Sequence, residues 1–270
     1  MTVLAMVAGV GVFTYPAAAN WYNDRLHASQ VHSYVGAVTR LPDAELEAAV
    51  QAARDYNALL PNGPLRDPYA LDAEGNPIPI GEGKDAYEQT LRFEELGMMG
   101  ELLIPKIGVD LPIFHDTDEK SLDAGVGHLY GSALPVGGKN THSVLTAHSG
   151  IPGATLFTDL NKLRKKDQFQ VVVAGETLTY EVDQILRVLP TDLDALRQIP
   201  GGDYVTLVTC TPIGVNSHRL LVRGHRIPTP EEALPAHQQP MRVHRVRRSW
   251  VRRRSGWRRV RCCLRSGWSG

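Results

Sequence analysis

Between Gly100 and about Pro228 the chain is a series of short apolar runs that Gly, Pro and Asp keep interrupting: ELLIPKI, VDLPIFH, HSVLTAH, QFQVVVA, TLTYEVDQILRVL, YVTLVTC and RLLVRGHRI. Strand candidates at such close spacing leave no room for a crossover helix between each pair. They predict a mostly β domain, a largely antiparallel sandwich or small barrel rather than an alternating βαβ sheet. One short helical connection is expected within it, ATLFTDLNKL at Ala154 to Leu163.

The residues ahead of this domain read differently. Among the apolar positions Trp21, Val31, Tyr34, Val35 and Val38, the second half recurs at spacings of three and four, which predicts a helix from Ala17 to about Arg40. Pro42 and Asp43 open a second helix through Leu46, Val50, Ala53 and Leu60, which the PNGP at Pro61 stops, so the two make a helical hairpin. Residues 61–85 then hold five prolines and four glycines with little periodicity, and a long irregular segment is expected there. Structureless stretches of that length inside compact proteins are functional or disordered.

Both ends are unlike the body. MTVLAMVAGVGVFTY is apolar and uncharged, but Pro16 limits the run to about fifteen residues, short of the roughly 20 a spanning helix needs. No Lys or Arg precedes Arg25, so residues 1–16 read as the remnant of a signal anchor whose beginning is missing. At the other end, every acidic residue lies at or before Glu232 while 11 of the 29 Lys and Arg lie at or beyond Arg242. The formal net charge of zero therefore conceals a body near −11 and a tail near +11. The tail over 229–270 has arginine without lysine and three of the four tryptophans, with no sustained amphipathic period. That composition fits GC-rich DNA read in a wrong frame from near Gln239, a non-native or disordered end; the competing reading is a basic segment for nucleic acid or a membrane surface.

The chemistry gathers near TLVTCTPIGVNSHRLLVRGHR, Thr206 to Arg226. Cys210 is the only cysteine outside the tail, so the body can form neither an internal disulfide nor a cysteine-based metal site. Cys210 ends one strand and Arg219 opens the next. A connection of about eight residues is too short for a parallel crossover, so the strands, if paired, are antiparallel and bring the two residues to one rim. A guanidinium beside a thiol favours the thiolate and offers fixed donors to an oxyanion. A proton carrier is also needed, and His115, His128, His142, His148 and His218 compete for that role. His142 and His148 bracket one strand, roughly 20 Å apart, so only one of them can reach Cys210. His148 stands at a strand end before Ser149, Gly150 and Pro152; His218 directly precedes Arg219.

Taken together these residues resemble the sortases, the cysteine transpeptidases of Gram-positive surfaces. TLVTC is similar to the family's TLxTC signature, LTAHSG to its histidine motif, and RLLVRG carries the matching arginine. The resemblance extends over nearly all of 17–228, including LLIPKIGVDLPIFH and GHLYGSALPVGGKNTHSVLTAHSG. It is strongest to class C, the pilin-polymerising group, in which a flexible lid carries Asp-Pro followed by an aromatic residue; Asp67, Pro68 and Tyr69 match.

The resemblance implies a closed sortase-like β-barrel over 100–228, with residues 17–99 supplying helices and lid. It implies Cys210 as nucleophile, His148 as acid and base, Arg219 as oxyanion or substrate donor, Asp67 paired with Arg219, and Tyr69 over the Cys210 sulfur. The expected reaction cleaves an LPxTG-like sorting signal at Thr-Gly and passes the acyl group to a lysine of a pilin subunit, at the outer face of the cell membrane, with an N-terminal anchor in that membrane. No cofactor, metal or nucleic acid is expected. A housekeeping sortase acting on cell-wall peptide is the alternative and should lack the lid motif; a non-catalytic barrel that binds through its tail is the third reading.

Overall fold

The computed structural model describes residues 2–61, 65, 67, 69, 84–93, 97–230, 234, 235 and 238, with side chains from residue 14 onward except Pro16. The chain divides into two units, Met1–Leu234 and Pro235–Gly270. The arginine-rich stretch and the reading-frame expectation attached to it lie outside the described residues, as does Pro68.

Eight strands close into a barrel: β1 Met98–Ile104, β2 Val109–His115, β3 Val126–His128, β4 Thr141–Thr146, β5 Gln168–Val173, β6 Glu176–Val188, β7 Asp203–Thr211 and β8 His218–Ile227, in the order β1-β2-β3-β4-β7-β8-β6-β5. Closure rather than a sandwich removes every free edge. The strand that sequence reading missed is β3, three residues long, below the length at which alternation can be seen. Gly127 sits there because a Cβ would lie 2.4 Å from the Asp116 carbonyl oxygen. Two of the pairings, β2 with β3 and β4 with β7, are parallel. Inside, Leu102, Ile104, Phe169, Leu207 and Val222 are fully buried, each stabilising the fold by about 1.5–3 kcal/mol through area removed from water.

Helix α1 spans Thr2–Arg40 and α2 spans Asp43–Leu59. The helix predicted from Ala17 begins at Thr2 instead and continues through Pro16. A proline inside a helix removes one backbone bond and costs about 3 kcal/mol, which a helix of 39 residues can absorb. Among the described residues, no helix is long and apolar enough to cross a membrane. Pro42 stands at the N-cap of α2 with Asp43 and Glu45 in the first turn, where carboxylates favour the helix dipole. The helices dock through buried apolar residues, Val31, Tyr34 and Val38 of α1 and Val50 and Ala53 of α2, and through specific hydrogen bonds. Tyr34 donates to the Met99 carbonyl at 3.0 Å and accepts from the Ala174 amide, while Asn57 makes two bonds with the backbone of Leu134.

Two short helices complete the described part, α3 Lys84–Gln89 and α4 Glu119–Ala124. The helix expected at Ala154 to Leu163 is instead a string of turns with one 3-10 turn, Leu160–Lys162. Its polar side chains serve the loop: the Thr158 hydroxyl accepts from the Gly150 amide, and the Thr158 amide bonds the Thr155 carbonyl.

Candidate active site

Antiparallel pairing of β7 with β8 makes Cys210 and Arg219 direct cross-strand partners, as the short connection between them predicts. The histidine is decided by a different pairing. Strands β4 and β7 run parallel with Thr146 opposite Val208, so two residues further along each strand His148 draws level with Cys210. The Ala147 amide still bonds the Val208 carbonyl at 3.3 Å, and the Ser149 hydroxyl donates to the Cys210 carbonyl at 2.7 Å. Ser149 thus ties the histidine loop to the nucleophile strand, a role that a polar residue after the histidine motif only hints at.

The other histidines have structural partners. His128 bonds Tyr87 and the Ala133 carbonyl, and His115 lies between the carbonyls of Thr90 and Gly97. His142 bonds the Arg197 carbonyl and Thr206. His218 pairs across the sheet with Thr211 and bonds Ser217, one strand position away from Arg219.

Burial lowers the pKa of His128 to about 4 and that of His142 to about 4. Both are neutral when folded and take up a proton on unfolding below their ordinary 6.5, so stability falls as pH drops from 6.5 towards 4. Glu101 works in the opposite sense. Burial first and the Asp110 charge second push it up to about 8, so it holds its proton in the fold above pH 4.5 and loses it on unfolding. The net uptake of these three groups is one proton. Acidification from pH 6.5 to 4.5 is expected to lower unfolding free energy by about 1.4 kcal/mol per pH unit through these three groups, and the lowered imidazoles of His27 and His148 act in the same direction. Urea melts at pH 5 and pH 7 check this, and His128→Asn should flatten the dependence; equal midpoints in the parent would refute it.

Over the Cys210 rim lie three described residues of the irregular segment. Asp67 accepts two bonds from Arg219, Nε to Oδ1 at 2.9 Å and Nη2 to Oδ2 at 2.7 Å, with both side chains at or below 10% exposure. A fork of that kind combines charge with fixed geometry. Tyr69 donates to the Ala147 carbonyl at 2.8 Å, places its ring 5.8 Å from that of His148, and carries the Arg219 guanidinium 4.9 Å over its face. Leu65 packs against the cluster of Leu129, Val144, Leu193, Leu196, Val208 and Leu221. Sequence reading did not single out Leu65, because one leucine in a proline-rich stretch has no period to betray it.

Under this cover both reacting groups are held neutral. Burial pushes the Cys210 thiol up; the Arg219 charge opposes that, the Asp67 charge adds to it, and a hydrogen bond with Tyr69 opposes it. Burial also lowers the His148 imidazole against the charges of Asp123, 4.0 Å from its Nε2, and Glu119. Removing the cover rehydrates both groups and leaves Arg219 without a carboxylate partner. A half-buried thiol with a guanidinium in register on one side and an imidazole level with it on the other has the composition for acyl transfer through sulfur. Among the described residues no cluster of His, Cys, Asp and Glu could hold a metal ion.

Comparison with known proteins agrees with that geometry. The Sortase domain model matches residues 102–227. Sortase C-1 of Actinomyces oris is 46% identical with a TM-score of 0.65, over 70% of this chain and 100% of that one. A pilus-related sortase C of Group B Streptococcus is 45% identical with a TM-score of 0.66, over 73% and 97%. Sortase D of Bacillus subtilis is 31% identical over 131 residues, and Sortase A of Streptococcus agalactiae 29% over 123. The chain spans 63% and 49% of the length of those two curated relatives. The chain belongs to the sortase family, and both solved structures named above are sortases of class C.

Proposed function

We propose that the chain is a cysteine transpeptidase of the pilin-polymerising kind. The observation that carries this reading is the stack of Asp67 and Tyr69 on a cross-strand Cys210–Arg219 pair, level with His148. A lid in that position favours the pilin reading over a housekeeping enzyme acting on cell-wall peptide.

In this reading the lid leaves and Arg219 exchanges the Asp67 carboxylate for a substrate oxygen. The Cys210 thiolate attacks the carbonyl of the Thr-Gly bond in an LPxTG-like signal, and Arg219 stabilises the oxyanion. As the C–N bond breaks, His148 in its imidazolium form protonates the departing amine, leaving a thioester on Cys210. A lysine amine of a second pilin subunit then attacks the thioester, His148 takes its proton, and the product carries a new amide while the thiolate returns. Burial raises the Cys210 thiol and lowers the His148 imidazole, which supports a neutral pair at rest with a minor fraction of enzyme holding the reactive ion pair near neutrality. The place of action is the outer face of the cell membrane, with the N-terminal segment as its anchor.

The deciding experiment incubates the full chain with an LPxTG peptide and looks for a thioester on the Cys210 peptide by mass spectrometry. An adduct carrying the acyl half, lost with hydroxylamine, is expected; none at any lid state would sink the reading. Asp67→Ala is expected to speed alkylation of Cys210 by iodoacetamide about tenfold to a hundredfold, the worth of one charged bidentate bond. Loss of the Asp67 charge also lowers the thiol pKa, so both effects have one sign. An unchanged alkylation rate would show that Asp67 does not hold the lid closed.

A further inference from the structure

Strands β1, β4, β6 and β7 run towards the end of the barrel where Cys210 stands, and β2, β5 and β8 begin there. The β1–β2, β4–β5 and β7–β8 connections, residues 105–108, 147–167 and 212–217, therefore turn over at the catalytic end. The β3–β4 and β5–β6 connections, residues 129–140 and 174–175, turn at the far end.

Helix α1 lies along the wall in one direction. Tyr34 bonds Met99 at the start of β1 and Ala174 in the β5–β6 turn, both at the far end. Roughly 16 Å earlier along the helix, Asn23 donates to the Gly153 carbonyl in the β4–β5 connection. The residues before Asn23 thus continue outward past the catalytic end, and Tyr15 lies roughly 12 Å beyond it.

Two chemistries meet at that end. Tyr15, Trp21 and Tyr22 are exposed, with the Arg25 guanidinium 4.5 Å over the Trp21 ring, and Ile213 and Val215 of the β7–β8 connection are exposed as well. No charged residue precedes Tyr15 in the sequence. In a body of net charge near −11, the β4–β5 connection sets Lys162, Arg164, Lys165 and Lys166 within one short exposed stretch. Asp159 pairs with Lys162 and Asp167 with Lys106, while Arg164 directs its guanidinium to the carbonyls of Asn161 and Leu163. Among the described residues Lys165 and Lys166 have no ion pair. Tyrosine and tryptophan settle at the boundary between lipid headgroups and acyl chains, and lysine clusters beside that boundary are held by anionic lipid.

We propose that the catalytic end of the barrel is a lipid-facing surface, with Arg164, Lys165 and Lys166 on anionic headgroups and Tyr15, Trp21 and Tyr22 at the same boundary. This rests on the membrane-face reading given above and adds which face of the barrel meets the membrane. The thiol rim then opens towards the lipid, so the peptides it meets first are those held close to a membrane.

The test footprints the full chain with a water-soluble lysine-acetylating reagent, read by mass spectrometry, in the presence of phosphatidylglycerol or phosphatidylcholine vesicles. With phosphatidylglycerol, acetylation of Lys165 and Lys166 is expected to slow about fivefold or more, while Lys139 in the β3–β4 connection keeps its rate. Phosphatidylcholine, or inorganic phosphate at the same phosphate concentration, should slow none of them. Lys165→Gln combined with Lys166→Gln is expected to weaken partition into phosphatidylglycerol vesicles about thirtyfold and to leave thioester formation on a soluble peptide unchanged. Binding with Lys165 and Lys166 as reactive as before assigns the attraction to the arginine-rich tail and overturns this proposal alone. Equal slowing at Lys139, or slowing by phosphate alone, overturns it too. A chain that binds neither vesicle takes the membrane-face reading down with it.

Discussion

Replacing Cys210 with alanine is expected to leave no peptide adduct and to slow cleavage of an LPxTG peptide by at least about 10⁴-fold, the scale on which loss of a nucleophile acts. Among the described residues of the rim the sulfur is the strongest nucleophile available to carry the acyl group between donor and acceptor. Arg219 and His148 can polarise or protonate, but neither can form the thioester. The fold should survive the change. Cys210 is half-buried at a strand end, and its cross-strand neighbour Arg219 keeps its bonds to Asp67 and to the carbonyls of Asn216 and His218. A melting temperature within a few degrees of the parent, together with absent adduct, is the expected pair of results. Residual adduct on another residue would move the chemistry away from this rim.

Arg219→Lys tests the other half of the site. Lysine keeps the charge but not the planar fork, so it can neither grip Asp67 at two oxygens nor present fixed donors to an oxyanion. Cleavage is expected to fall about 10²–10³-fold, the cost of losing one oxyanion donor. The lid should loosen at the same time, because both short bonds at 2.7 and 2.9 Å come from the guanidinium. Iodoacetamide should then reach Cys210 faster while the peptide is cleaved more slowly. Those opposite directions separate a working arginine from one that merely supports the strand, whose loss would slow both. A cleavage rate equal to the parent's would remove Arg219 from the mechanism.

The match between sequence and structure depends on range. Cys210 opposite Arg219 could be read from eight intervening residues, since a loop that short admits only an antiparallel pair. His148 could not be chosen over His218 in the same way. Its place comes from the parallel β4–β7 pairing, two strands separated by more than fifty residues, and no local pattern reports which distant strand closes beside which. Shortness hid β3, and Ala154 to Leu163 looked helical although the Thr158 hydroxyl there bonds the loop itself.

Period and punctuation in the sequence determined that the body is a β domain after two helices, and that one cysteine and one arginine meet at a sheet rim. Those conclusions rest on contacts within a strand, a turn or a helix. The family resemblance implied the closed barrel, His148 and the lid of Asp67 and Tyr69; the tertiary structure alone supplied the parallel β4–β7 register that brings His148 level with the thiol, and the packing of Leu65 beside them. Each of these depends on where separate elements come to rest, and that is set by burying Val208, Leu221 and Leu196 together rather than by any one segment's own preference.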